Sequence, residues 1–193
     1  DQPEFNYNVD KLMTFEVFEK QFGNSFRRDV DLNIIGLATL FREFLSVIKG
    51  GSLPREWNKD WKCLPRNVYA GENLSKDYAS HIESTNDRNS IYDCFEKYQL
   101  HLKTEKYYDY VDFARNLSDR QQSFNLEQEL RFDAILVDEV QDLMPIEIKL
   151  LKSVANDFKS LVFAGDSAQS VVRHAAFRWP NLKDVFFHEF CNS

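Results

Sequence analysis

Two short apolar runs, held apart by one amphipathic segment, constrain this chain more than any other feature. Residues 133–137, "DAILV", and 160–164, "SLVFA", are too short for buried helices and rich in branched side chains. Between them lies "PIEIKLLKSVAND", with Pro145 where a helix takes its first residue and Ile148, Leu151 and Ala155 along one face. A strand, a helix and a second strand at this spacing form a βαβ unit, so the two strands are expected to be parallel neighbours or near neighbours. The C-terminal third therefore reads as α/β with a parallel sheet.

The rest of the chain has a helical period. In "VDKLMTFEVFEKQFG" Phe15, Phe18 and Phe22 recur at helical spacing, and Gly23 is placed to end the helix. Residues 32–49 predict a long helix capped by Asp31, with Leu37, Leu40, Phe41, Phe44 and Ile48 as its stripe and Gly50-Gly51 as its stop. From 51 to 88 the pattern breaks around Pro54, Pro65 and Gly71 into loops and short turns. Helical spacing returns in "NSIYDCFEKYQLHLK", through Ile91, Phe95, Tyr98 and Leu102. It resumes in "DYVDFARNLSDR" after a turn near Tyr107 and Tyr108. The expected organisation is an α/β lobe begun by residues 1–30, interrupted by a mainly helical insertion over 31–125 and completed by 126–193.

Composition narrows the class. The 193 residues are 43% apolar and 28% charged, with no apolar run long enough to span a bilayer and no secretory signal in the acidic first residues. Cys63, Cys94 and Cys191 are odd in number and lack CxxC spacing, which favours reduced thiols over disulfides or a zinc site. These features point to an intracellular protein, cytoplasmic or nuclear. The net charge of −7 gives no general attraction for nucleic acid, although 42–76 is a locally basic stretch.

Both strands end in acids. "ILVDEVQD" runs from Val137 straight into Asp138, Glu139, Gln141 and Asp142, and the second strand leads into "AGDSAQS" with Gly165, Asp166 and Gln169. Ligands of open α/β sheets sit outside the carboxyl ends of the strands. Successive side chains of an extended segment point to opposite faces, so one carboxylate can hold a hydrated Mg²⁺ while its neighbour faces an attacking water. That is the Walker B arrangement of phosphoryl transfer to water. An apolar run followed by Asp-Glu is by itself a frequent strand end; the joint pattern is far more specific.

The joint pattern resembles the UvrD/Rep-like superfamily 1 helicases. Asp138, Glu139, Gln141 and Asp142 match the DExQD box of that family, and Gly165, Asp166, Gln169 and Ser170 match its GDxxQS motif. "LMTFEVF" is similar to the TFHSF-type segment, with Thr14 and Phe15 at the matching places, and "IYDCFEKYQ…YYDYVDFARNL" is similar to the helical insertion preceding the Walker B strand. The resemblance implies an incomplete RecA-like P-loop NTPase lobe that uses ATP and Mg²⁺ to move on single-stranded DNA or RNA. It assigns Asp138 to the metal, Glu139 to the general base and Gln169 to sensing the γ-phosphate. Gln141, Asp142 and Asp166 fall on the nucleotide side, and Thr14 and Phe15 on the nucleic acid.

Two departures accompany the match. No GxxxxGKS or GxxxxGKT sequence is present, so the phosphate loop and the second RecA-like domain are expected elsewhere in a parent motor, and the chain alone is expected to be inactive. Val172 and His174 stand where the family carries aromatics, which weakens base stacking there. The alternative is a helicase-like scaffold for protein interaction with degraded hydrolysis. Phe15 can equally belong to a core stripe with Phe18 and Phe22. The run "PREWNKDWKCLPRNVY" interleaves basic and aromatic residues but fits a packed subdomain better than a nucleic-acid strip. Cys94 lies on an apolar helix face and reads as buried.

Overall fold

The computed structural model describes residues 8–31, 35–50, 63–71, 80, 82–123, 131–166, 182–183 and 187. Most are helical, and a two-stranded parallel sheet stands near the C-terminal end.

Helix α1 (Phe15–Phe22) begins where Thr14 Oγ1 accepts the Val17 N–H at 3.3 Å, the usual use of a threonine before a helix. Helix α2 is Leu37–Arg42 and passes directly into a π-helical segment, Glu43–Lys49. The long helix expected over 32–49 therefore starts later and changes winding. Asp31 does not cap it: the cap position is Gly36, whose φ of 73° suits a residue without Cβ. Every residue from Glu43 to Lys49 is buried. After the short α3 (Arg66–Tyr69), the 21-residue α4 (Thr85–Glu105) is capped by Ser84 Oγ and ends at Lys106, with φ 57°. Helix α5 (Tyr110–Ser123) opens on a reciprocal cap. Asp109 Oδ1 accepts the N–H groups of Val111 and Asp112, and Asp112 Oδ2 accepts that of Asp109.

These helices share an aromatic core. Phe18 is fully buried, with ring centroids of Phe41 at 4.8 Å, Phe22 at 5.3 Å, Tyr98 at 5.8 Å and Phe44 at 5.9 Å. The segment before α1 is stitched to the start of α5 by a bridge, Met13 N–H to Tyr108 O at 2.7 Å and Tyr108 N–H to Lys11 O at 3.0 Å. Inside this body sits a charged cluster. Lys49 Nζ is 2.6 Å from both Asp109 Oδ2 and Asp112 Oδ1, and the Tyr98 hydroxyl donates to Asp109 Oδ2 at 2.9 Å. Burial opposes the charge on Lys49, but the two carboxylates outweigh it and raise its pKa above the ordinary lysine value.

Strands β1 (Ile135–Val137) and β2 (Leu161–Phe163) are parallel neighbours in the register Ile135 to Leu161 and Val137 to Phe163, as the βαβ spacing predicts. Each is shorter than the sequence pattern. Phe158–Ser160 forms a 3₁₀ turn, and Phe132 makes an isolated bridge to Ala155 instead of extending β1. The crossover is helix α6 (Pro145–Val154), with Pro145 at its first position. Ile148 packs with Val140 and Leu182 on one side of the sheet, joined by the half-buried Val137, Leu143 and Phe163. The opposite face shows Leu136 and Val162, 78% and 54% exposed. Met144, just before α6, belongs to the aromatic core, and so links the sheet unit to the helical body.

Candidate active site at the strand ends

The carboxyl end of β1 is held against the chain leaving β2. Ala164 N–H donates to Val137 O at 2.8 Å, and Val140 N–H donates back to Ala164 O at 2.9 Å. Between these bonds the backbone bends sharply. Glu139 adopts φ 53° and ψ 42°, the left-handed region that a branched or long L side chain enters at a cost. Asp138 Oδ1 accepts the Glu139 N–H at 2.9 Å and so holds the bend from the side. Val140–Asp142 then form a 3₁₀ turn that delivers the chain to α6.

The bend leaves the Asp138 and Glu139 carboxylates exposed and turns Gln141 inward, where it is fully buried. The buried amide is used at both ends. Its Nε2 donates to Glu139 Oε2, and its Oε1 accepts the Asp166 N–H at 3.0 Å. Gly165 makes room for this. A Cβ there would collide with Gln141 Oε1 and lie 2.9 Å from Val140 Cγ1, so close approach requires the glycine, whose φ is not in the positive region. Asp142 is half-buried, and its Oδ1 accepts no hydrogen bond.

The structure thus brings Asp138, Glu139, Gln141, Asp142 and Asp166 into two linked loops at one edge of the sheet. Gln169 and Ser170, with Val172 and His174, lie outside the described residues. So do Trp57 and Trp61, with Arg55, Lys59 and Lys62 beside them. Thr14 and Phe15 stand on another element. Thr14 is the cap of α1, and Phe15 is half-buried, with the Phe41 ring centroid at 5.8 Å and that of Phe18 at 6.5 Å. Arg66, from the basic stretch, pairs with Asp93 and Glu96 of α4 at 2.7 and 2.9 Å.

No group of three or more His, Cys, Asp or Glu among the described residues is placed to hold a metal ion. The donor set suits Mg²⁺ in one particular way. Mg²⁺ keeps most of its waters and takes one or two carboxylates together with substrate phosphates, and the exposed Asp138 at a strand end fits that role. The sequence reading missed two features: the left-handed Glu139, which has no one-dimensional signature, and the inward turn of Gln141. An amide within a run of acids, four residues after the end of an apolar strand, is the only sign of the latter.

The fold and these loops fit one class, and the sequence comparison identifies it: the chain belongs to the UvrD/REP helicase N-terminal domain family, whose profile matches residues 27–183. The matched span contains every strand-end residue and begins after Thr14 and Phe15. Among curated proteins the chain is similar to human "TPR and ankyrin repeat-containing protein 1", 32% identical over 107 residues, which is 55% of this chain and 4% of that protein. It is also similar to "Putative ATP-dependent DNA helicase YjcD" of Bacillus subtilis (strain 168), 32% identical over 94 residues, 47% of this chain and 12% of that protein. The chain thus spans a small fraction of either relative. No solved structure matches. No helix among the described residues is long and apolar enough to cross a membrane.

Proposed function

We propose that this chain is part of an ATP-dependent motor of the UvrD/Rep type, hydrolysing ATP to move on single-stranded DNA or RNA. One observation carries the reading. The DExQD loop and the GD loop meet at the carboxyl ends of adjacent parallel strands, joined through the buried amide of Gln141. In an open α/β sheet that is where a nucleotide binds.

In this reading Asp138 holds Mg²⁺, which neutralises charge on the phosphates, and Glu139 takes the proton of the attacking water. Asp142 and Asp166 border the nucleotide, and Gln169 senses its γ-phosphate. Thr14 and Phe15 face the nucleic acid, in the manner of aromatic platforms that grip a single strand. The lobe is RecA-like, with residues 31–125 inserted into it, and the protein works inside the cell. The phosphate loop and the second motor domain come from the longer protein, so the 193-residue chain alone turns over no ATP.

The test is made on the longer protein, by measuring ATP hydrolysis with and without a single strand. Glu139→Gln retains size and hydrogen bonding but removes the base, so hydrolysis should fall by roughly a hundredfold or more while ATP still binds. Asp138→Asn should weaken Mg²⁺-dependent binding as well. A scaffold with degraded hydrolysis is the competing reading, favoured by the net charge of −7 and by Val172 and His174 at the family's aromatic positions. Absence of turnover in the wild type, unchanged by either substitution, establishes the scaffold instead.

A further inference from the structure

Tyr108 and Asp109, where the chain enters α5, form a knot in which every hydrogen-bonding group is committed. The buried Asp109 carboxylate fills all four of its acceptor positions. Its Oδ1 accepts the N–H groups of Val111 and Asp112, each at 3.0 Å, and its Oδ2 accepts from Lys49 Nζ at 2.6 Å and from the Tyr98 hydroxyl at 2.9 Å. The Asp109 N–H donates to Asp112 Oδ2 at 3.3 Å, and its C=O accepts the Phe113 N–H at 3.0 Å. A helix cap needs only the bonds to the first turn. Lys49 and Tyr98 lie outside the cap and hold the side chain from two further elements, the π-helical segment and α4.

Tyr108 carries that fixed point to the segment before α1. It donates its N–H to Lys11 O at 3.0 Å and its hydroxyl to Asn8 O at 3.2 Å, and its C=O accepts the Met13 N–H at 2.7 Å. Leu12 O then accepts the Thr14 N–H at 3.0 Å, and Thr14 Oγ1 starts α1 at Phe15. We propose that Asp109 is a positioning residue for Thr14 and Phe15: held by Lys49 and Tyr98, it fixes Tyr108, and the Tyr108 bridge sets where α1 begins. That Thr14 and Phe15 meet a single strand rests on the motor reading above; their seat does not. Two backbone bonds between distant segments do not by themselves offset the entropy of ordering them. A neighbour saturated on every side supplies the missing rigidity, which gives the buried Asp109 a role beyond the cap of α5.

The first measurement is amide hydrogen exchange in the 193-residue chain. Tyr98→Phe removes one of the four bonds to the Asp109 carboxylate and keeps the ring in the core. It should speed exchange of the Met13 and Tyr108 N–H groups about fivefold, the scale of one hydrogen bond. The N–H of Tyr69, buried elsewhere in the same body and bonded to Pro65 O, should exchange at its former rate. Asp109→Asn should act more strongly; where that chain does not fold, Tyr98→Phe decides alone. Equal acceleration at all three amides is general destabilisation and overturns the proposal, as does no response at Met13 and Tyr108. The second measurement is binding of a labelled oligothymidylate by the longer protein. Phe15→Ala should weaken it about tenfold, and Tyr98→Phe about fivefold with KM for ATP unchanged. Added to Phe15→Ala, Tyr98→Phe should cost less than about twofold more, because the aromatic it positions is gone. A full second loss there overturns the proposal, since a general defect acts whether or not Phe15 is present. If the wild type binds no strand, or Phe15→Ala binds as the wild type does, the motor reading of these residues falls, while a responsive Met13 retains the positioning role.

Discussion

The helical body and the strand-end unit use the same kinds of residue to opposite ends. In the body, Asp109 is fully buried and Asp112 half-buried, and both pair with the buried Lys49 beside a continuous aromatic core. In the strand-end unit, Asp138 and Glu139 remain exposed on a loop supported by small apolar clusters around Val140, Ile148 and Leu161. A carboxylate taken out of water must be paired, and once paired it holds structure but is closed to a ligand. One left at the end of a strand keeps its oxygens for chemistry and adds little to stability. The body thus holds its acids inside the core while the strand-end loops hold theirs at the surface, with Met144 and α6 joining the two.

The sharpest way to break this comparison is to remove the buried cation. Lys49→Met keeps most of the length of the side chain and leaves Asp109 without its positive partner. Loss of one partner of a buried pair costs about 3–5 kcal/mol, so urea denaturation should show a loss of that size. Glu139→Gln, assayed in the same way, should change stability by less than about 0.5 kcal/mol, as expected for an exposed side chain. Equal effects from the two substitutions would erase the distinction between structural and reactive acids.

A smaller effect tests how deeply the body is buried. Burial pushes the Cys94 thiol up from near 9 to about 12, with Asp29 and Asp93 adding to the shift and Lys97 opposing it. Burial raises the Cys63 thiol too. An unfolded thiol ionises first, so the folded state holds more protons as pH rises through 9, and stability must fall with increasing pH. Each thiol contributes up to about 1.4 kcal/mol per pH unit in this window. Between pH 9 and 10 Cys94→Ala should make the fall of stability with rising pH shallower. A slope unchanged by Cys94→Ala would mean that the thiol is open to solvent.

What the sequence revealed follows the same division. The βαβ unit was legible because three independent signals agree: two branched runs, an amphipathic segment between them, and Pro145 at a helix start. The acids at the strand ends were legible because they break an apolar run. The burial of Lys49 was not, because its partners lie 60 and 63 positions away and only the fold brings them together. The same holds for Arg88, which is buried by donating to the carbonyls of Gly71, Ile82 and Glu83. Nor could the π-helical winding of Glu43–Lys49 be read, since Glu43, Ser46 and Lys49 keep the spacing of an ordinary helix although all three are buried. At the site, residue types placed the acids at the strand ends, whereas the left-handed bend at Glu139 and the two-ended use of Gln141 exist only in three dimensions.

The smallest effect bears on that bend. A glutamate held at φ 53° gives up about 1 kcal/mol relative to a residue at ease there, and such strain persists where function requires it. Glu139→Gly removes the strain, although it also loses the Gln141 contact and makes the unfolded chain more flexible. The first effect should win narrowly, because removing the exposed Glu139 side chain lets water reach its place and accept the hydrogen bond of Gln141 Nε2. We expect Glu139→Gly to be about 0.5 kcal/mol more stable than the wild type in urea denaturation, while hydrolysis in the longer protein is lost. Stabilisation with loss of turnover means that Glu139 is kept for chemistry at the expense of the fold, the reverse of Lys49. A substitution that instead destabilises by 1 kcal/mol or more would show the Glu139–Gln141 contact to be a structural pair, and the strand-end acids would then belong with those of the helical body.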